Sequence, residues 1–367
     1  MSRKLASIQT IKALTPIEGA DRIETAQILN WECVVKKGEF KVGDKVIYFE
    51  IDSLLPDIPM LEWLRGSSWS QKLNKYKIKT HIFRKQVSQG LVIPYDDLYK
   101  LQEEINGCVK IISNDDGTDL TELLGIEKYE PPVSNGPLGK TINHEWYVPK
   151  TDEERIQTCA DTVLPAYKNI NSDEYYESIK LDGTSCTAGL FEDGFLIGGR
   201  TQWYAEENMY TTTVKSYGDL EQKLKDYQKE TGLYVVFQGE LCGPGIQGNK
   251  LGLIKKRWFI FNVFTSTTGK NGSYEKVNFD ELNHICDICG MERVPFIIGD
   301  DKLNITIEED ENITVRKLVK HANNFKYRTF FKDASPNQHV EGIVIRKKDM
   351  TNSFKVISTK FLLKGGE

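Results

Sequence analysis

The sequence predicts an α+β protein in which a small N-terminal β-barrel precedes a larger domain of antiparallel sheets with flanking helices. Three observations predict it. Short apolar runs alternate with glycine turns through the first part of the chain. Around residues 101–150 the composition shifts toward proline, glycine, asparagine and acid. Beyond residue 150, segments with the two-residue period of strands mix with segments of helical period.

In the first part, residues 25–29, 32–36, 45–51 and 90–94 read as strands, with Gly38 and Gly43 in the turns between them. Such a crowd of short strands suits a barrel of the OB type, a common nucleic-acid-binding fold. Asn114-Asp115-Asp116-Gly117, Glu130-Pro131-Pro132 and Ser134-Asn135-Gly136-Pro137 read as a connector. The expected division is therefore a barrel over 1–115, a connector over 116–150 and a second domain over 151–367. Within that domain Tyr175–Lys180 and residues 185–191 are expected to meet at Asp182-Gly183, and 195–201 to follow through Glu192-Asp193-Gly194. Leu220, Leu224 and Tyr227 mark a helix, and further strands are expected at 234–241, 258–264, 342–346 and 354–357.

At 367 residues, 39% hydrophobic and 28% charged, the chain can bury a core in each of two domains. No apolar run reaches the roughly 20 residues of a membrane helix, and Met1-Ser2-Arg3-Lys4-Leu5 leads into no signal-peptide core, so a cytoplasmic location away from membranes is expected. The cysteines (Cys33, Cys108, Cys159, Cys186, Cys242, Cys286, Cys289) are scattered and do not read as a disulfide framework. Cys286 and Cys289 have only His284 nearby, too few ligands for zinc. Leu282, Ile285 and Cys289 instead space like one face of a helix that stops at Gly290.

The net charge of −5 argues against indiscriminate coating of nucleic acid, but it hides an asymmetry. Residues 1–100 carry 16 Lys+Arg against 12 Asp+Glu, and the remainder 32 against 41. Lys72, Lys75, Lys77, Lys79, Arg84 and Lys85 occur without an intervening acid, interleaved with Tyr76, His81 and Phe83. Cations for phosphates beside rings for bases suit a nucleic-acid surface. A solvated edge strand guarded by lysines fits the same pattern.

The sharpest local signal is Glu177-Ser178-Ile179-Lys180-Leu181-Asp182-Gly183, a lysine and an aspartate at the end of an apolar strand. Alternation puts Lys180 and Asp182 on one face. An inward lysine is costly unless paired or used, and its amine becomes a nucleophile at neutral pH only once a cationic neighbour such as a metal favours loss of its proton. Glu240 in Phe237-Gln-Gly-Glu240-Leu241 and Glu341 in Val340-Glu341-Gly342 place further carboxylates in apolar strands. With Asp182 they could hold Mg²⁺ or Mn²⁺, directly or through water. Arg200 and Lys355 supply cations for phosphates.

Together these segments resemble the covalent nucleotidyltransferases, the superfamily of ATP-dependent ligases and mRNA capping enzymes. Lys180-Leu-Asp182-Gly183 is similar to motif I of that superfamily, Arg200 to motif Ia, Phe237 through Leu241 to motif III, and Arg257-Trp-Phe-Ile-Phe261-Asn262 to motif IIIa. Glu341-Gly342-Ile-Val344 resembles motif IV, and Phe354-Lys355-Val-Ile motif V. Asn262 departs from a frequent aspartate, and Ile357 from an expected second lysine, for which Lys360 is the candidate substitute. The chain ends soon after Lys355 instead of continuing into a C-terminal OB domain. It therefore looks like an RNA ligase of the group with an N-terminal OB domain, and segments around 39–49, 87–94, 125–131 and 149–157 resemble that group's linking segments.

The resemblance implies ATP and Mg²⁺ or Mn²⁺ as cofactors, and RNA ends as substrates, with nick sealing or RNA repair as the setting and a monomer as the working form. Lys180 would carry AMP and Asp182, Glu240 and Glu341 would bind the metal. Arg200 and Lys355 would hold phosphates, Phe261 and Val344 would sandwich adenine, and Arg155 would touch the triphosphate or RNA. The rivals are a capping-type guanylyltransferase and a non-catalytic RNA-binding protein with a degenerate nucleotidyltransferase domain.

Overall fold

The computed structural model describes residues 4–129, 140–142, 145, 147–149, 153–165, 169–200, 202–299 and 303–363. The chain divides into two compact units, residues 1–131 with 362–367, and residues 132–361. The proline-rich stretch 130–137 of the expected connector, and Thr201 at the end of an expected strand, lie outside the described residues.

The first unit is built on β1 (Ala6–Pro16), which meets β4 (Lys45–Phe49) through its first half and β2 (Ile23–Ile28) through its second. A register break between Ile11 and Ala13 lies just past the handover from β4 to β2. Such a bulge bends and twists a strand, so a single strand can serve two sides of a closing sheet. With β3 (Trp31–Lys36) and β10 (Leu91–Pro94) the order is β10-β4-β1-β2-β3. Ile8, Ile11, Ala26, Ile28, Trp31 and Val46 fill the interior. A second sheet joins β5 (Ser53–Leu55), β6 (Trp69–Ser70), β7 (Lys75–Lys77) and β11 (Glu127–Lys128), and β8 (Thr80–Phe83) with β9 (Gln86–Gln89) makes a separate hairpin. Residues 117–128, expected to begin the connector, bond into this unit: Leu120 N–H donates to the Ala6 carbonyl at 2.8 Å, and β11 pairs with β5.

The second unit holds a seven-stranded sheet, a three-stranded sheet and a two-stranded ribbon, with antiparallel pairing throughout. The ribbon pairs β13 (Asn169–Asn171) with β21 (Asn304–Thr306). The large sheet comprises β12 (Thr141–Ile142), β15 (Thr184–Phe191), β16 (Gly194–Gly198), β17 (Trp203–Tyr204), β18 (Tyr234–Cys242), β19 (Arg257–Ser266) and β20 (Glu275–Lys276), ordered β12-β17-β16-β15-β18-β19-β20. The small sheet is β14 (Tyr175–Lys180), β22 (Gly342–Lys347) and β23 (Ser353–Ile357). Helices Leu220–Thr231 and Phe279–Cys289 contribute Leu224, Leu282, Ile285, Cys286 and Cys289 to the core over the large sheet. Cys286 and Cys289 are thus core residues of a helix, and Gly290 ends it at φ 68°. Helices Ile156–Val163 and Glu311–Ala322 pack beside the small sheet.

One expectation is corrected. The strands on either side of Asp182-Gly183 do not form a hairpin, because β14 pairs with β22 and β15 with β16 and β18. The chain crosses from one sheet to the other at Leu181-Asp182-Gly183, and this crossing positions the site. Among the described residues, no helix is long and apolar enough to cross a membrane.

Candidate active site

Lys180 is the last residue of β14, and pairing aligns it with Gly342 and, one strand further, Ile357. Ser178, Val344 and Lys355 form the next aligned row on the same face. The opposite face carries Ile179, Ile343 and Val356, all buried in the core, so the face bearing Lys180 is fixed by what lies beneath it. A slip of one residue would turn the lysine into the core.

Three carboxylates gather at the crossing. Glu341, just before β22, accepts the Lys180 ammonium at 2.7 Å. Asp182 accepts the Lys250 ammonium at 2.5 Å. Glu240, on β18, accepts the Gly183 N–H at 3.0 Å. Burial pushes the Glu240 carboxyl up to about 8; Lys180 pulls it back, while Glu341 and Asp182 push it further. Burial and Glu341 raise Asp182 to about 6 against the pull of Lys250. Burial alone would lower the Lys180 amine, but Glu341 and Glu240 outweigh it and hold the group as an ammonium.

Glu341 pushes the Asp182 and Glu240 carboxyls upward and Asp182 pushes Glu240, a crowding that a divalent cation would relieve, and all-oxygen donors suit Mg²⁺ or Mn²⁺. They do not converge on a common point. Among the described residues, no three His, Cys, Asp or Glu side chains stand close enough to cage an ion. The arrangement therefore fits a cation that keeps several waters and touches the acids partly through them.

Phe261 owes its placement to a bulge. Gln238 pairs with Asn262 and Gly239 with Ile260, leaving Phe261 as the extra residue of β19. A bulge re-aims the side chain it carries, and the Phe261 ring lies 5.9 Å from the Arg346 guanidinium carbon. Arg346 shares a face with Val344, two residues before it on β22, so Phe261 and Val344 border the same side of the small sheet. Asn262 is fully buried and donates toward Gln238 at 3.4 Å. Arg200 is exposed just past β16. Lys355 donates its backbone N–H to the Glu154 carbonyl at 2.8 Å, and Arg155 bridges to the same residue. Ile357 is buried, whereas Lys360 is exposed.

Sequence reasoning missed Lys250, Tyr327 and the buried pair of Glu153 with Arg346 (3.1 Å). Lys250 follows a loop with left-handed backbone at Gln247, Gly248 and Asn249, and the glycine-rich run Gly243-Pro-Gly-Ile-Gln-Gly-Asn-Lys250 was its signal. Tyr327 sits in a short turn with no periodicity to mark it.

In the first unit the basic cluster divides. Lys77 is 5% exposed with its ammonium 3.6 Å from the Tyr129 ring centroid, and Lys75 pairs with Glu127 at 2.7 Å. The burial of Lys77 withdraws it from any nucleic-acid surface. Lys72, Lys79, Arg84 and Lys85 remain exposed. Arg84 and Lys85 form the two-residue tip of the β8–β9 hairpin, both left-handed (φ 50° and 71°). A groove of about 530 Å³ beside that hairpin is lined by Lys36, Trp63, Lys79, His81 and Phe83, among others.

A sequence profile of an OB-fold domain matches residues 5–95, and the RNA ligase family profile matches residues 173–360. Among solved structures, the RNA ligase of Naegleria gruberi with PPi is 27% identical at a TM-score of 0.81, covering 100% of this chain and 99% of that one. A glutamate-to-alanine variant of the same ligase with ATP and Mn gives 27% identity, a TM-score of 0.81 and full coverage of both chains. A lysine-to-methionine variant with AMP and Mn gives 27%, 0.80 and 99% of each. Comparison with curated protein sequences gave no match.

Proposed function

This chain belongs to the RNA ligase family, and we propose that it joins an RNA 3′-hydroxyl to a 5′-phosphate through AMP carried on Lys180. The observation that carries the reading is that Lys180, paired to Glu341, stands with Asp182 and Glu240 where the chain passes between two sheets. ATP and Mg²⁺ or Mn²⁺ are the cofactors, in keeping with the Naegleria gruberi ligase solved with ATP and Mn.

The Lys180 amine attacks the α-phosphorus of ATP, forming a P–N bond as the bond to pyrophosphate breaks. The AMP then passes to the RNA 5′-phosphate, whose oxygen replaces the lysine nitrogen on phosphorus. The 3′-hydroxyl finally attacks that 5′-phosphate and AMP leaves. A divalent cation near Asp182, Glu240 and Glu341 would supply the positive field that favours the neutral amine and offsets charge on the phosphate. The chain's own part begins with Glu341, which aims the amine and can take its proton. Arg200 and Lys355 neutralise phosphate oxygens. Phe261 and Val344 sandwich the adenine, and Arg155 lies beside Lys355 near the phosphates.

The OB unit engages RNA through Lys72, Lys79, Arg84 and Lys85, helped by the exposed rings of the groove. A monomer that seals nicks or repairs breaks in a reducing cytoplasm completes the proposal, and the buried free thiols suit that compartment.

The test incubates the enzyme and Lys180→Ala with α-labelled ATP or GTP and Mn²⁺. Label from ATP on the wild type alone is expected; label retained by the alanine variant removes Lys180 from its role. Nicked RNA should be sealed better than nicked DNA, and equal sealing of both would end the RNA assignment.

A further inference from the structure

Tyr327 touches two of the segments that carry the site, the Lys180–Asp182 crossing and the start of β22, and it does so with one atom. Its hydroxyl donates to the Lys180 carbonyl at 3.2 Å. It accepts the Asp182 N–H at 3.0 Å and the Glu341 N–H at 3.3 Å. A phenol offers one donor and two acceptor positions, so these bonds use its whole capacity. The ring is fully buried, 6.3 Å centroid to centroid from Phe331, and its backbone N–H is held by the Gln338 carbonyl at 3.0 Å.

The geometry explains why the hydroxyl is needed. β14 ends at Lys180, so the peptide groups of the crossing leave the small sheet before they join the large one. Glu341 lies one residue before β22 and likewise falls outside the ladder. Buried backbone groups without a partner are costly, and here a single side chain satisfies groups from both segments. Both segments are thereby tied to one fixed point.

We propose that Tyr327 is a positioning residue whose hydroxyl locks the Lys180–Asp182 turn against the start of β22 and so sets the 2.7 Å approach of the Lys180 amine to the Glu341 carboxylate. The proposal rests on the reading of Lys180 as the AMP carrier. The tyrosine itself touches neither nucleotide nor RNA in this scheme; it acts through the backbone of residues that do.

The experiment measures lysyl-AMP formation by wild type, Tyr327→Phe, Phe331→Leu and Lys180→Ala, each normalised to folded protein and followed across ATP concentration. Tyr327→Phe keeps the ring and removes the node. Its maximal rate should fall roughly 10- to 100-fold, the cost of a misplacement near 1 Å, while KM for ATP stays within about twofold because the nucleotide's own contacts remain. Phe331→Leu loosens the packing around the ring and should retain the wild-type rate per folded molecule. A Tyr327→Phe rate equal to that of Phe331→Leu overturns the proposal, as does a loss confined to KM. Hydrogen exchange of the wild type supplies a second measurement if Tyr327→Phe does not fold: the Asp182 and Glu341 amides should both be protected, and rapid exchange at either overturns the node. Label retained by Lys180→Ala would instead defeat the AMP-carrier reading and leave the exchange result standing.

Discussion

The two units treat their charged residues in opposite ways. In the second, Lys180, Asp182, Glu240 and Glu341 are drawn largely out of water, and burial together with proximity shifts the proton affinities of Lys180, Asp182 and Glu240. In the first, Lys72, Lys79, Arg84 and Lys85 stand in solvent at and near a hairpin. Buried charge is expensive and acts on bonds a few ångströms away, whereas exposed charge is cheap, screened by salt and suited to holding a polyanion. The difference teaches that chemistry and grip are separable here, so a substitution that harms one should leave the other.

The largest effect should come from the glycine at the crossing. A Cβ on Gly183 would meet the Leu241 carbonyl oxygen at 2.5 Å, Cys242 Sγ at 2.7 Å and Glu240 Cγ at 2.9 Å. Gly183→Ala forces the crossing and the start of β15 away from β18, with a loss of about 1–3 kcal/mol by overpacking and a fall of roughly 100-fold in lysyl-AMP formation through misplacement. Gly38→Ala, with no atom within 4 Å of the added carbon, meets only backbone strain at φ 76°. It should lower the melting temperature modestly and leave adenylylation untouched; equal losses of activity would erase the contrast.

Glu153→Gln tests burial through pH. Arg346 and the Ser353 hydroxyl hold the Glu153 carboxyl below its ordinary value despite the opposing push of burial. The unfolded chain therefore binds the proton more readily. The stabilisation is complete above an ordinary value near 4.5 and disappears as pH falls through the lower folded value. Denaturant unfolding at pH 7 should show the variant weaker by roughly 2 kcal/mol, and the gap should close on acidification. A gap independent of pH would mean that the ion pair contributes nothing.

Lys250→Met removes the cation that occupies Asp182 and makes the cluster more negative. Mn²⁺ binding, read by calorimetry without nucleotide, should tighten several-fold, as expected from losing one like charge at short range. Unchanged or weaker binding would mean that Lys250 orients Asp182 instead of competing for it.

Much of this site was legible because its residues sit on regular strands. Lys180, Glu240, Glu341 and Lys355 each lie in or beside an apolar run, and a short motif marks each place. What the sequence hid is irregular. β1 carries a bulge between Ile11 and Ala13, and one extra residue breaks the two-residue period on which strand recognition depends. Asp182-Gly183 has the chemistry of a hairpin turn, but its partners are set by β22 and β18, far along the chain. Tyr327 and Lys250 come from a turn and a loop, where position follows tertiary contacts rather than spacing.

The smallest effect belongs to the hairpin tip, and it sharpens the comparison most. A two-residue hairpin with both residues left-handed favours Asn-Gly, yet Arg84 and Lys85 occupy it. If the tip served only to turn the chain, this choice would be a plain loss. Arg84→Asn combined with Lys85→Gly should therefore raise stability by about 1 kcal/mol, the left-handed strain relieved less the entropy that glycine returns to the unfolded chain. The same change should weaken RNA binding and reduce the slope of log affinity against log salt by between about 1.4 and 1.8, the loss of two phosphate contacts. Lysyl-AMP formation should not change. A more stable variant that binds RNA with the original salt slope would show that these two cations grip nothing, and the separation of grip from chemistry would then have to be sought at Lys72 and Lys79.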